Sequence, residues 1–148
     1  MNVVFDLDGT LADCRHRNYL VHGVEKPDWY AYYQLCGLDT PIWPVVELAT
    51  NLIRRGNRIE IWTGRSAIVR ADTEDWLNGC GLGALRGAKL LMRPEGDYRP
   101  DTELKARWLA TARESGFVPD LIIEDRTRMI DFWRSQGIVA LQCAEGDF

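Results

Sequence analysis

Short apolar runs alternate with segments of helical period along most of the chain. Residues 3–5 are all apolar (Val3, Val4, Phe5) and end abruptly at an acid, the pattern of a short buried strand. Residues 41–55 place Val45, Val46, Leu48, Leu52 and Ile53 at helical spacing, with proline near the start and Gly56 as a stop, which predicts a helix. Residues 58–62, with β-branched Ile59 and Ile61, predict a strand, and Ser66 is a suitable cap for a helix that runs to about Asn78 before Gly79. Residues 89–92 predict a third strand. Asp101 or Thr102 then caps a helix carrying Leu104, Trp108, Leu109 and Ala112, which Gly116 ends. Leu121, Ile122 and Ile123 form the continuous apolar run of a strand covered on both faces. A helix over 127–136, with Met129, Ile130 and Trp133 inward, is stopped by Gly137, and residues 138–141 predict the last strand.

Five short strands alternating with helices predict an α/β fold with a doubly wound, parallel, five-stranded sheet. Ligands of such sheets bind at the carboxyl ends of the strands, where strand order reverses. Residues 13–40 break the alternation. They hold Arg15, His16, Arg17, His22, Trp29, Tyr30, Tyr32 and Tyr33, too long a stretch for a plain connection and too aromatic to stay disordered, and predict a small helical lid.

The 148 residues fit a single domain, 1–148, that buries about two thirds of its unfolded surface. With 46% hydrophobic and 27% charged residues the composition is ordinary for a globular protein, and no apolar run is long enough to span a bilayer. The opening residues lack the features of a signal peptide, so a cytoplasmic location and no membrane partner are expected. The four cysteines (Cys14, Cys36, Cys80, Cys143) form no Cys-x-x-Cys pair, which predicts reduced thiols and no zinc site. A net charge of −4 argues against a protein that coats long nucleic acid but leaves room for a local basic site. Fifteen of the eighteen basic residues are Arg, which suits phosphate recognition and equally suits a solvated surface.

The candidate chemistry lies where strands end. Asp6 and Asp8 follow the first strand, and residues i and i+2 of an extended segment point to the same side, so two carboxylates converge at the sheet edge. Their repulsion demands a cation or a shared proton, and an all-oxygen site without nearby His or Cys suits Mg²⁺. The same residues also make an ordinary Asp-x-Asp-Gly turn. Thr63, Gly64 and Arg65 end the second strand and offer a hydroxyl, an open backbone and a helix start, as a phosphate cradle or as a plain turn. Glu124 and Asp125 end the fourth strand beside Arg126, a second acid pair or a capped turn with an ion pair. Lys105 lies four residues after Asp101 and shares its helix face, which taken alone predicts a solvated contact between the two. What distinguishes the set is its joint occurrence, in order, at four strand ends or helix starts.

These residues together resemble the haloacid dehalogenase superfamily, in the pattern Asp6-Leu7-Asp8-Gly9-Thr10, then Thr63, Lys105 and the pair Glu124, Asp125. More closely, the chain is similar to the 3'-phosphatase domain of phage polynucleotide kinase-phosphatases, through residues 41–65, 101–105 and 123–127 and the tail Gly146, Asp147, Phe148. The resemblance implies Asp6 as a nucleophile that becomes an acyl phosphate, Asp8 as general acid and base, Thr63 as a phosphoryl ligand and Lys105 as a charge neutraliser. It implies Mg²⁺ held by Asp6, the backbone carbonyl of Asp8 and Asp125, with Glu124 direct or through water. Arg17, Arg65 and Asp101 stand where that subfamily uses two arginines and an acid, and Gly64 belongs to the same cradle. Glu124 departs from the Asp usual at its place. No Gly-x-x-x-x-Gly-Lys-Ser/Thr occurs, so this chain holds no P-loop kinase half.

Three functions compete. The first is removal of phosphate from a nucleic acid 3'-end, with Trp29, Tyr30, Tyr32 and Tyr33 either stacking on a base or packing the lid. The second is hydrolysis of a nucleoside monophosphate or another small phosphomonoester, which the net charge favours. The third is a non-catalytic binding module that keeps the fold, against which Asp6 and Lys105 both stand. Oligomeric state is not legible.

Overall fold

The computed structural model describes residues 1–79 and 83–146. Cys80, and Asp147 and Phe148 of the tail, lie outside the described residues. A parallel five-stranded sheet forms the centre: β1 (Asn2–Phe5), β4 (Arg58–Ser66), β5 (Lys89–Arg93), β6 (Leu121–Arg126) and β7 (Val139–Gly146), in the order β5-β4-β1-β6-β7. The expected α/β fold is therefore present. β1 pairs with β4 on one side and β6 on the other, Phe5 lying opposite Ile61 and Ile123, so strand order reverses at β1.

Alternation along the strands divides the core between the two faces. Val3, Phe5, Ile59 and Ile61 join Val46 and Ala49 of α2 (Trp43–Arg54) and Trp76 and Leu77 of α3 (Arg70–Asn78). Val4, Trp62 and Ile122 face the other way, onto Leu109 and Ala112 of α4 (Asp101–Glu114) and Met129, Ile130 and Trp133 of α5 (Thr127–Ser135). Buried Trp62 is central to this second layer, with ring centroids 6.0 Å from Trp133, 6.2 Å from Trp108 and 6.5 Å from Phe117.

Several boundaries differ from expectation, each for a local reason. α2 begins at Trp43, not at Pro41, because Thr40–Pro41 forms β3 and pairs antiparallel with β2 (Ala12–Asp13). Pro44 occupies the first turn of α2, where a missing N–H costs nothing, and Gly56 ends it with a left-handed φ of 78°. The Ser66 side chain accepts from the Ile68 N–H as expected of a cap, but the turn it caps is a 3₁₀ segment, Ala67–Val69, ahead of α3. Neither Asp101 nor Thr102 caps α4. The capping position is Pro100, and the Asp101 carboxylate is engaged by Arg93 and Arg126.

Residues 13–40 are helical in part, as expected. A 3₁₀ segment (Arg15–Leu20), α1 (Trp29–Gln34) and a second 3₁₀ turn (Cys36–Leu38) hang from the two-stranded neck made by β2 and β3. Among the described residues no helix is long and apolar enough to cross a membrane.

The Trp133 indole is buried, and its N–H has no partner among the described residues. Trp133→Ala should therefore cost about 3–5 kcal/mol of stability in urea unfolding, while Trp133→Phe, which deletes the unpaired donor, should cost markedly less. A loss below about 1 kcal/mol for the alanine variant would show that this layer is not a packed core.

Candidate active site

Asp6 follows β1 directly, and its N–H donates to the carbonyl of Ile123 at 3.0 Å, extending the ladder that brings β1 beside β6. Glu124 and Asp125 are next along β6, and one carboxylate oxygen from each of Asp6, Glu124 and Asp125 lies within 4.8 Å of the others. All three side chains are buried. Gly9 makes this packing possible. Its φ is +82°, and a Cβ there would stand 2.2 Å from Asp125 Oδ2, so any side chain would displace the carboxylate. Gln142 on β7 donates to the Asp125 carbonyl at 2.8 Å, and Thr10 Oγ1 donates to Asp125 Oδ1 at 3.4 Å.

Lys105 enters from α4 and donates to Asp6 Oδ1 at 2.6 Å and Glu124 Oε2 at 2.8 Å. The surface pairing with Asp101 suggested by their spacing is thus not what forms. Lys105 is 1% exposed, and Asp101 turns instead to Arg93 and Arg126. Four carboxylates in this group face three cations. That excess of negative charge appears in the titration of the group: burial and then neighbouring Glu124 push Asp6 up to about 7, and burial, Asp6 and Glu124 push Asp125 up to about 8. Burial also opposes ionisation of Glu124, but Lys105 and Arg126 outweigh it and hold that carboxyl below its ordinary range.

Asp8 belongs to a second cluster. Although it lies two residues from Asp6, its carboxylate does not join the acidic group but accepts from Arg17 Nη2 at 2.7 Å and from Arg65. Both arginines also bind Asp39, Arg17 at 2.7 and 2.8 Å and Arg65 at 2.7 Å, and His16 Nε2 lies 2.9 Å from the same carboxylate. The Arg17 guanidinium stacks 4.0 Å over the Tyr32 ring. Burial works against an ionised Asp8, yet Arg65 and Arg17 hold it below the usual carboxylate range.

Thr63 is buried in the second half of β4, and its hydroxyl accepts from the Arg65 N–H at 3.1 Å. Gly64 passes close to Asp101, whose Oδ1 would be 2.8 Å from a Cβ at that position, and its carbonyl accepts from Arg93 Nε at 3.0 Å. Asp6, Asp8, Thr63, Gly64, Arg65 and Asp101 all open onto one cavity of about 530 Å³. Arg17, Lys105, Glu124 and Asp125 stand behind that wall. Asp39, Arg93 and the Asp101 partnership of Arg126 had no signal in the sequence, because each depends on which strand end lies opposite which loop.

The whole chain, residues 1–148, matches the family model of the polynucleotide kinase PNKP phosphatase domain. The chain belongs to that family. It is a phosphatase of the haloacid dehalogenase type. A chain of the Pnkp1/Rnl/Hen1 RNA repair complex is 26% identical, with a TM-score of 0.75 over 99% of this chain and 43% of that one. A second Pnkp1/Rnl/Hen1 structure is 24% identical with a TM-score of 0.80, over 99% of this chain and 46% of the other. A haloacid dehalogenase-like hydrolase from Streptococcus pneumoniae shares the fold at 14% identity and a TM-score of 0.58, over 95% of this chain and 83% of that one. This chain spans less than half the length of the repair-complex chains it matches.

Asp6 and Asp125 retain protons in the folded chain at pH values where an unfolded chain has lost them, so folding takes up protons across that window. The contribution of these two groups is fully present below the unfolded carboxyl range and is lost as pH rises from there through the folded values near 7 and 8. Chelator-treated protein should show a melting temperature that falls from about pH 4.5 and levels off above about pH 8, and Asp125→Asn should flatten the fall. A flat wild-type profile in thermal scans would contradict the charge excess.

Proposed function

We propose that this phosphatase is a Mg²⁺-dependent phosphomonoesterase that forms an aspartyl phosphate on Asp6 and releases phosphate from nucleic acid 3'-ends. The observation that carries the chemistry is Asp6 itself, open to the cavity at the reversal point of the sheet and held by Lys105 at 2.6 Å. A carboxylate so fixed is positioned as a nucleophile.

The buried donors fit a hard divalent cation. They are all oxygen, they carry excess negative charge, and Glu124 Oε1 has no hydrogen-bond donor among the described residues once Asp125 is ionised. Arg126 Nε is 3.8 Å from that oxygen. Asp6, Asp125 and the backbone carbonyl of Asp8 would hold the ion, with Glu124 direct or through water. When bound, Mg²⁺ screens the phosphate dianion from the attacking carboxylate.

In this reading an Asp6 oxygen attacks phosphorus while the bond from phosphorus to the ester oxygen breaks, and Asp8 gives that oxygen its proton. Water then attacks the acyl phosphate, passes a proton to Asp8, and the bond between phosphorus and the Asp6 oxygen breaks. Asp8 needs a proton for the first step, yet Arg65 and Arg17 hold it ionised at rest. A phosphate entering the cavity competes for Arg65, which lines it, and weakening that clasp leaves a half-buried carboxylate with a raised proton affinity. Thr63 and Gly64 would complete the phosphate cradle, Lys105 would neutralise Asp6 and the phosphoryl group, and Asp101 would position Arg93 and Arg126. Residues 13–40 act as a lid, since α1 lines the cavity.

The family and the likeness to an RNA repair complex support a nucleic acid end as substrate. The net charge of −4 favours a small nucleotide instead. A turnover panel with Mg²⁺ separates them: a 3'-phosphorylated oligonucleotide, 3'- and 5'-mononucleotides and an aryl phosphate. The oligonucleotide is expected to be the best substrate; mononucleotides cleaved far faster would sink the polymer-end reading. Asp6→Asn should lower kcat by roughly 10³-fold or more on every substrate, and wild-type turnover in that variant would refute the covalent route.

A further inference from the structure

We propose that Trp29 and Tyr30 of α1 and Tyr98 of the connection from β5 to α4 form a stacking subsite for the nucleobase of the nucleotide whose phosphate reaches Asp6. This rests on the phosphomonoesterase reading above and specifies what else the site grips. All three rings line the cavity that Asp6 and Asp8 open into. They are unusually wet for their size: Trp29 is 51% exposed, Tyr30 64% and Tyr98 95%.

Exposure alone assigns nothing, since Tyr19 and Trp43 are also exposed and line no part of that cavity. What distinguishes the three is convergence from two separate elements on the phosphate site. The helix α1 is itself divided. Tyr32 is buried at 7% exposure and lies under the Arg17 guanidinium, so packing accounts for it. Trp29 is not used up in this way. Its ring meets Tyr32 edge-on at 5.6 Å and Tyr33 at 6.1 Å, contacts that fix its orientation while half its surface stays open. A large aromatic held in place loses little freedom when a planar ligand is laid on it. Arg65, Arg93, Arg99 and Arg126 line the same cavity, and aromatic surface beside cations matches a ligand with a planar ring on one side and phosphate on the other. A sugar phosphate without a base leaves the three rings in water. Because every base has a π-face, such a subsite tolerates sequence and favours unpaired ends, where the base is free to leave its neighbour.

The test uses the Mg²⁺-loaded protein and a single-stranded 3'-phosphorylated oligonucleotide, with either a normal or an abasic terminal nucleotide. The quantity read is the ratio of kcat/KM for the two substrates. Tyr98→Ala and Trp29→Leu should each lower that ratio roughly 5- to 100-fold, the change falling on KM rather than kcat. Trp29→Tyr, which restores a ring, should recover most of it. A ratio that keeps its wild-type value in both ring-deleting variants overturns the subsite, and so does an equal fall in Trp29→Leu and Trp29→Tyr, which marks a packing defect. Nucleoside 3'-monophosphate compared with ribose 3-phosphate gives a second arm. If only that pair shows the ratio effect, the subsite stands and the polymer-end reading falls. If wild-type protein cleaves normal and abasic oligonucleotides equally well and also fails to distinguish nucleoside 3'-monophosphate from ribose 3-phosphate, the polymer-end reading stands and the subsite falls. Should none of these be turned over, calorimetric binding of the nucleoside monophosphate decides, and equal affinity for wild type and Tyr98→Ala overturns the subsite.

Discussion

The carboxylates of Asp6, Glu124 and Asp125 are almost wholly buried, so their mutual repulsion has to be answered by whatever the fold brings close. Parallel pairing of β1 with β6 creates the problem, because the register that sets Phe5 opposite Ile123 also sets Asp6 beside Glu124. α4 supplies the answer in Lys105, and the remaining charge is left to protons or to a divalent cation. The demand for a counter-charge is thus set by the geometry of two strands. Replacing Lys105 by an apolar residue would leave buried charge unanswered, which is costlier than losing a surface pair.

The second cluster has a different character. Asp8 and Asp39 share Arg17 and Arg65, two anions against two guanidinium groups, with His16 at the exposed margin. Here charges balance within the protein. Asp39 is further fixed through its carbonyl, which accepts from the Trp76 indole N–H at 2.7 Å, so the insertion and α3 are joined at the point where the arginines converge. The acidic group therefore carries excess negative charge, whereas the arginine group is a balanced set.

Much of the sheet was legible because burial on both faces leaves uninterrupted apolar runs, as at Leu121, Ile122 and Ile123, and because Gly56 stops α2 where the helical pattern ends. Asp6, Thr63, Lys105 and Asp125 were legible as a set, since each stands at a strand end or early in a helix. Spacing indicates the side of an element that a residue occupies but not what meets it across the fold. That is why Lys105 read as a partner for Asp101, and why Asp39 carried no signal. Likewise Thr40 and Pro41 read as connection and helix start, because a two-residue strand has no period to detect.

The neck formed by β2 and β3 has a consequence for how this architecture varies. Since the chain leaves and rejoins the sheet domain at paired neighbours, Ala12 opposite Pro41 and Asp13 opposite Thr40, the length and content of what lies between are uncoupled from strand register. Insertions or replacements beyond the neck can therefore change the cavity wall that α1 forms while Asp6, Lys105 and Asp125 keep their places. The acidic cluster at the sheet edge and the segment that walls its cavity are thus free to change independently of one another.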